Sequence, residues 1–150
     1  NTQASFLTSM VNVGFCVGCL CSACVSLADN VKPQCLILAG CLGAAAANLS
    51  LLLVHGLHGA LACRFVVGLF LALVYPPGVK LLSTWFSAQD RGTAMGVMFG
   101  AFCLGSAFPQ LLRSVVARHS WEPVVVCTSI AAATSGMLIF TLVGVGPFPF

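Results

Sequence analysis

Apolar and polar residues fall into long separate blocks along this chain. Between positions 6 and 28 the only ionisable groups are cysteine thiols, and the block ends at Asp29. Similar blocks cover 35–54, 59–77, 93–112 and 124–145, and the third is broken by the charge of Arg64 alone. A bilayer hydrocarbon core about 30 Å thick needs roughly 20 residues of helix at 1.5 Å each, so every block predicts a membrane-crossing helix. Membrane strands would show two-residue alternation over about ten residues, and none of the blocks does. The expected fold is an all-α membrane protein with five transmembrane helices over these ranges, forming one unit from 1 to 150. Arg64 inside the third block carries an insertion cost of about 2.5–3.5 kcal/mol.

Composition agrees. Of 150 residues, 59% are apolar and 6% charged, against about a quarter charged in an ordinary soluble domain. Mean hydropathy is +1.06. So few charges cannot coat a water-soluble surface, which excludes a soluble domain and a disordered segment. Six scattered Lys and Arg residues give no electrostatic footprint for nucleic acid. The principal solvent is the lipid bilayer, and the chain reads as integral and multi-pass.

The connections between blocks are short. Asp29 to Gln34 contains Lys32 and Pro33, and His55-Gly56-Leu57-His58 forms a tight hairpin. The 76–92 connection is amphipathic, with Lys80, Gln89, Asp90 and Arg91 set among Leu81, Leu82, Trp85 and Phe86. The last connection runs from Arg113 to Glu122 and includes Trp121. Both indoles suit the water–lipid boundary. Alternate connections share a side, so Lys32, Lys80 and Arg91 oppose Arg113 and Arg118, and this excess favours the first side as cytoplasmic. Position 1 is Asn, and no basic segment with a cleavage site precedes the first block, so that block is not a signal peptide. The expectation is a piece of a longer membrane protein.

Small residues recur at helical spacing. Gly92, Gly96 and Gly100 form a row in the fourth span with Gly105 beyond it, and Ala60, Arg64, Gly68 and Ala72 form another in the third. Gly14 and Gly18 do the same in the first span, as do Gly40, Gly43 and Ala47 in the second. Such rows let backbones approach, as van der Waals association in lipid requires. Arg64 is thereby expected on a packing face.

Groups able to do chemistry are scarce. Cys16, Cys19, Cys21 and Cys24 read as two CxxC pairs, but on a helix they fan over an arc of about 200° and cannot converge on one metal. In an apolar block cysteine is a small hydrophobe. His55 and His58 are boundary residues of a turn, and no carboxylate lies within the five blocks. No acid–base pair, nucleophile dyad, metal site or cofactor site follows, and an enzyme is not expected. Arg64 differs, because a cation at membrane depth marks a pathway or ligand contact. A structural pair, or snorkelling toward the nearby His58 boundary, is the alternative. Asn12, Asn48, Thr128, Ser129 and Thr134 add moderate polarity within the spans.

Several motifs together resemble the major facilitator superfamily. Leu27-Ala28-Asp29-Asn30-Val31-Lys32-Pro33 is similar to that family's Gly-x-Leu-Ala-Asp-Arg-x-Gly-Arg-Arg loop, and Arg64 to Gly68 resembles its Arg-x-x-x-Gly motif. Tyr75-Pro76-Pro77, Trp85-Phe86 and Arg91-Gly92 resemble its fourth-to-fifth connection, Gly96, Gly100 and Gly105 its glycine-rich fifth helix, and Trp121 a frequent Trp before its sixth. Val25 and Lys32 stand where the loop motif has glycines, and Pro33-Gln34 replaces its basic pair.

The resemblance implies helices two to six of a secondary transporter's amino-terminal half, working by alternating access with a missing carboxy-terminal half as partner. It implies a small-molecule or ion substrate, and Arg64 and Lys80 lean toward an organic or inorganic anion. Arg64, Asn12 and Asn48 become candidate substrate or coupling residues, while Asp29 and Lys32 become a gating loop. Gly68, Gly92, Gly96, Gly100 and Gly105 take packing roles, and Lys80 and Arg91 lie in a cytoplasmic connection. A non-transporting bundle, a scaffold or receptor-like relative, is the alternative.

Overall fold

The structure, a computed structural model, describes residues 2–54, 56–115 and 121–148. His55, Arg118 and the side chains of Asp29 and Arg113 lie outside the described residues. The helices are α1 (Thr2–Cys24), α2 (Leu27–Asn30), α3 (Pro33–Ser50), α4 (Leu57–Leu71), α5 (Tyr75–Ser83), α6 (Arg91–Val115) and α7 (Glu122–Leu142). Five stretches are long and apolar enough to cross a membrane: Phe6–Cys24, Pro33–Ser50, Leu57–Ser83, Arg91–Pro109 and Glu122–Leu142. This is an integral multi-pass membrane protein.

Local chemistry sets the helix ends. Pro33 opens α3 and Pro123 opens α7, positions where a missing N–H costs nothing because the first turn lacks acceptors. Glu122 sits in the first turn of α7, where a carboxylate complements the positive end of the helix dipole. Gly56, at φ 105°, turns the chain between α3 and α4, a conformation costly for a residue with a Cβ.

Several boundaries shift from the sequence reading, the second crossing ending at Ser50 and the fifth at Leu142, and two shifts have a clear local cause. The first span ends at Cys24, because Ser26 takes a left-handed conformation with φ 49° before the short α2 begins. The third span continues through α5 to Ser83, with a break at 72–74. Pro76 and Pro77 explain the break: neither has an N–H for the carbonyls of Ala72 and Leu73. The chain crosses it on tighter turns, with Leu73 N donating to the Phe70 carbonyl and Val74 N to the Leu71 carbonyl, before the prolines start the next helix. Lys80 consequently lies in the last turn of α5 and not in an irregular connection.

Packing follows the small residues. α1 lies along α4, and α3 is central, touching α4, α5 and α7. Gly68 lies directly against the Val11 carbonyl and the Phe15 backbone, and Gly14 against the Phe65 carbonyl. Gly43 accepts the Phe70 ring, and a Cβ on Gly136 would stand 2.6 Å from Cys41 Cβ. Ile37, Cys41 and Leu81 form the buried core, with Val74, Ile139 and Val143 packed around it. Tyr75 gathers the Phe15, Phe99 and Phe102 rings at 5.9–6.3 Å, bringing α1, α5 and α6 together.

The glycine row of α6 departs from expectation. A Cβ placed on Gly92, Gly96, Gly100 or Gly105 would meet no neighbouring element within 4 Å among the described residues. The expected close packing on this row is not made among the described residues. Its neighbours Val97, Phe102 and Leu104 are 63–77% exposed, so this helix presents most of its surface outward.

On the side that carries Lys32 and Lys80, the segment after α7 is clasped to the end of α5. Gly146 N donates to Thr84 Oγ1 at 2.9 Å, Phe148 N to the Thr84 carbonyl at 2.9 Å, and Trp85 Nε1 to the Gly144 carbonyl at 3.1 Å. Arg91 Nε donates to the carbonyls of Ser83 and Phe86. Arg91 thus satisfies carbonyls at the end of α5, which helix geometry leaves unpaired.

Two outcomes are expected in thermal unfolding of the purified full-length protein. Gly68→Ala forces a Cβ onto the Val11 carbonyl and destabilises by about 1–3 kcal/mol, whereas Gly78→Ala, which faces open space, is neutral or stabilising by up to about 1 kcal/mol. Thr84→Val leaves the buried Gly146 N–H without its acceptor and costs about 1–3 kcal/mol. An unshifted melting temperature in Thr84→Val would show that the clasp is not maintained.

Candidate functional site

Arg64 is the eighth residue of α4, about 10 Å of helical rise from its start. A cavity of about 700 Å³ lies beside it, with walls that include Asn12 from α1, Leu51 after α3, Arg64 from α4, Pro109 from α6 and Trp121 and Val124 at the start of α7. It occupies the end of the bundle opposite Lys32, Lys80 and Arg91. Its lining is mainly apolar, so Arg64 and Asn12 supply most of its polar chemistry. Pro109 has no N–H, and the Gly105 carbonyl one turn earlier therefore lacks its helical donor. That weakens α6 where it borders the cavity.

Arg64 is half-buried, and its Nη1 donates to Asn48 Oδ1 at 3.1 Å. Asn48 also reaches α7: its Nδ2 donates to the Val125 carbonyl at 3.3 Å, Thr128 Oγ1 at 3.2 Å and Ser129 Oγ at 3.0 Å. Both hydroxyls spend their own hydrogens on backbone carbonyls one turn back, with Thr128 donating to Val124 and Ser129 to Val125 at 2.8 Å. They are therefore acceptors toward Asn48. The orientation of the amide follows, because a guanidinium only donates and the α7 oxygens only accept. One half-buried network joins α3, α4 and α7.

The residues singled out from the sequence separate into three places. Arg64 and Asn12 share the cavity wall, and Asn48 stands behind Arg64 with its amide engaged inside the bundle. At the opposite end the Asp29 backbone lies in α2 and Lys32 in the α2–α3 connection, with Lys80 and Arg91 on that same side. The α6 glycines stand on an outward face. Thr128 and Ser129 were visible in the sequence as polar residues within a span, at distances of 80 and 81 positions from Asn48; no local pattern pairs them with it. The contact between Ser50 Oγ and Cys63 Sγ at 3.4 Å, and the clasp on Thr84, had no sequence signal.

The cysteines do not assemble into a site. Cys16, Cys21 and Cys24 are exposed and Cys19 is half-buried, all as free thiols. Among the described residues no three His, Cys, Asp or Glu side chains gather where a metal could bind. The acidic residues Asp29, Asp90 and Glu122 all stand at helix ends or in connections, and among the described residues lining the cavity the charged one is Arg64.

Comparison with known proteins gives this arrangement a context. A putative glycerol-3-phosphate transporter 2 of Arabidopsis thaliana is 27% identical over 93 residues, covering 62% of this chain and 18% of that protein. A galacturonate transporter of Dickeya chrysanthemi is 34% identical over 65 residues, covering 43% of this chain and 19% of its own length. An uncharacterized MFS-type transporter of Mycobacterium tuberculosis (strain ATCC 25618 / H37Rv) is 32% identical over 138 residues, 89% of this chain and 31% of that protein. The chain thus spans between 18% and 31% of the length of these relatives. The family model described as Major Facilitator Superfamily matches residues 1–149, and this chain belongs to that superfamily.

Proposed function

We propose that these helices form part of the amino-terminal half of a secondary transporter that moves a small anion by alternating access, with Arg64 contacting the anion. The observation that carries the reading is Arg64 itself: a guanidinium on a cavity wall, at membrane depth, bonded to a neutral amide. A buried cation of this kind is expensive, and an arriving carboxylate or phosphate offsets that cost through charge-assisted hydrogen bonds. Glycerol-3-phosphate and galacturonate, for which two relatives are named, are both anions at neutral pH, which supports the same class here.

Other residues take complementary roles in this reading. Asn12 faces the bound solute from α1. Asp29 and Lys32 belong to a loop that closes one gate against the rest of the full-length protein, where a carboxylate favours a helix N-terminus. The row Gly92, Gly96, Gly100 and Gly105 is the surface on which a helix of that remaining portion packs, since such rows admit a backbone at close range. Lys80 and Arg91 keep their end of the bundle at the anionic cytoplasmic leaflet.

The test is uptake by the full-length protein in proteoliposomes, with radiolabelled glycerol-3-phosphate and galacturonate supplied separately. Arg64→Ala is expected to lower kcat/KM for the transported anion by about 10- to 150-fold, the equivalent of about 1.5–3 kcal/mol for a hydrogen bond to a charged group, with membrane insertion unchanged. Normal uptake by Arg64→Ala removes its assigned role.

A further inference from the structure

Asn48 differs in kind from an ordinary wall residue. Its oxygen receives the Arg64 guanidinium and its nitrogen faces three oxygens of α7. Both ends of the amide are therefore committed to the protein, and the bound solute is left to Arg64. A guanidinium carries five N–H donors and spends one on Asn48, which fixes the plane of the fork and leaves donors for the cavity. The usual way to hold a buried arginine is a carboxylate, which would also neutralise it and remove its attraction for an anion. Asn48 holds Arg64 without that neutralisation.

From this geometry we infer that Asn48 is a positioning and specificity-determining residue: a neutral anchor that aims Arg64 into the cavity while preserving its charge for a small carboxylate or phosphate ester. The inference rests on the anion reading of Arg64 proposed above. Position 48 sets the charge preference of the site, and the hydroxyls of Thr128 and Ser129 hold the amide in the required orientation. An aspartate here would present a carboxylate oxygen to the Val125 carbonyl and pair with the guanidinium. Alanine would free the guanidinium to wander but leave its charge intact.

The experiment compares wild type, Asn48→Ala and Asn48→Asp in the full-length protein, reconstituted in proteoliposomes, with radiolabelled glycerol-3-phosphate and galacturonate as probes. KM is expected to rise about tenfold in Asn48→Ala and about a hundredfold or more in Asn48→Asp, with alanine the milder change although aspartate keeps a bond to Arg64. A structural tether predicts the reverse order, because aspartate retains the contact that alanine loses. The double variant Thr128→Val/Ser129→Ala, which alters no charge, is expected to raise KM several-fold with kcat nearly unchanged. It carries the test if Asn48→Asp does not fold.

Asn48→Asp transporting as well as or better than Asn48→Ala overturns the inference alone, as does an unchanged KM in the double variant. A wild-type protein inert toward both anions, or an Arg64→Ala variant with normal uptake, overturns the anion reading and the inference with it.

Discussion

A guanidinium set among apolar helices at membrane depth needs protein partners, because part of its hydration is stripped away. Here part of that duty falls on the hydrogen bond from Arg64 to Asn48, and the surrounding structure is arranged to make the bond possible. Asn48 lies in the last turn of α3, so α3 and α4 must run close enough for the two side chains to meet. Gly40 and Gly43 permit this, since a Cβ on either would collide with Phe70. Gly14, Gly18 and Gly68 bring α1 against the other side of α4, which carries Asn12 to the same cavity wall. In lipid, close packing of this kind replaces the hydrophobic drive of a soluble core, so the small residues and the half-buried polar network depend on each other.

The network also gives the bundle a mechanical character. α7 is tied to α3 through Asn48, and α4 is tied to α3 through the same amide, so displacement of the guanidinium is felt in three helices. At the opposite end, the clasp of Gly146 and Phe148 on Thr84 binds the segment after α7 to the end of α5. α7 is thus tied to α3 and α4 at one end of the bundle, and the segment after it to the end of α5 at the other. α6 is the exception, held mainly through the aromatic contacts of Tyr75 and bordering the cavity at Pro109. An element with few partners and a carbonyl released by proline opens more easily than its neighbours.

Much of this was legible in the residue pattern because the bilayer imposes a length and a polarity on every crossing segment. The five crossings could be read directly from apolar blocks, four without a charge and one holding Arg64 alone, and the rows through Gly14, Gly40 and Gly68 pointed to close helix contacts. The break before Tyr75 was harder to see. Pro76 and Pro77 were read as the start of a connection, whereas tertiary packing of Leu81 into the Ile37 and Cys41 core keeps the following residues helical. The α6 glycines showed the opposite limit: a row says that a backbone can approach, and nothing about whether its partner lies within these 150 residues. For the site, Arg64 stood out by charge alone. The role of Asn48 did not, because its amide is defined by oxygens some 80 positions away, and only the folded arrangement shows which end of the amide faces the cation.

The central claim is that Arg64 and Asn12 face an aqueous solute pathway and not the acyl chains. The most direct measurement is thiol labelling of Asn12→Cys in a cysteine-free background of the full-length protein, using a membrane-impermeant maleimide applied from each side in turn. The account predicts rapid labelling from an aqueous side, suppressed when saturating glycerol-3-phosphate or galacturonate is bound. Labelling by lipid-soluble reagents alone, with none from either aqueous side, would contradict it.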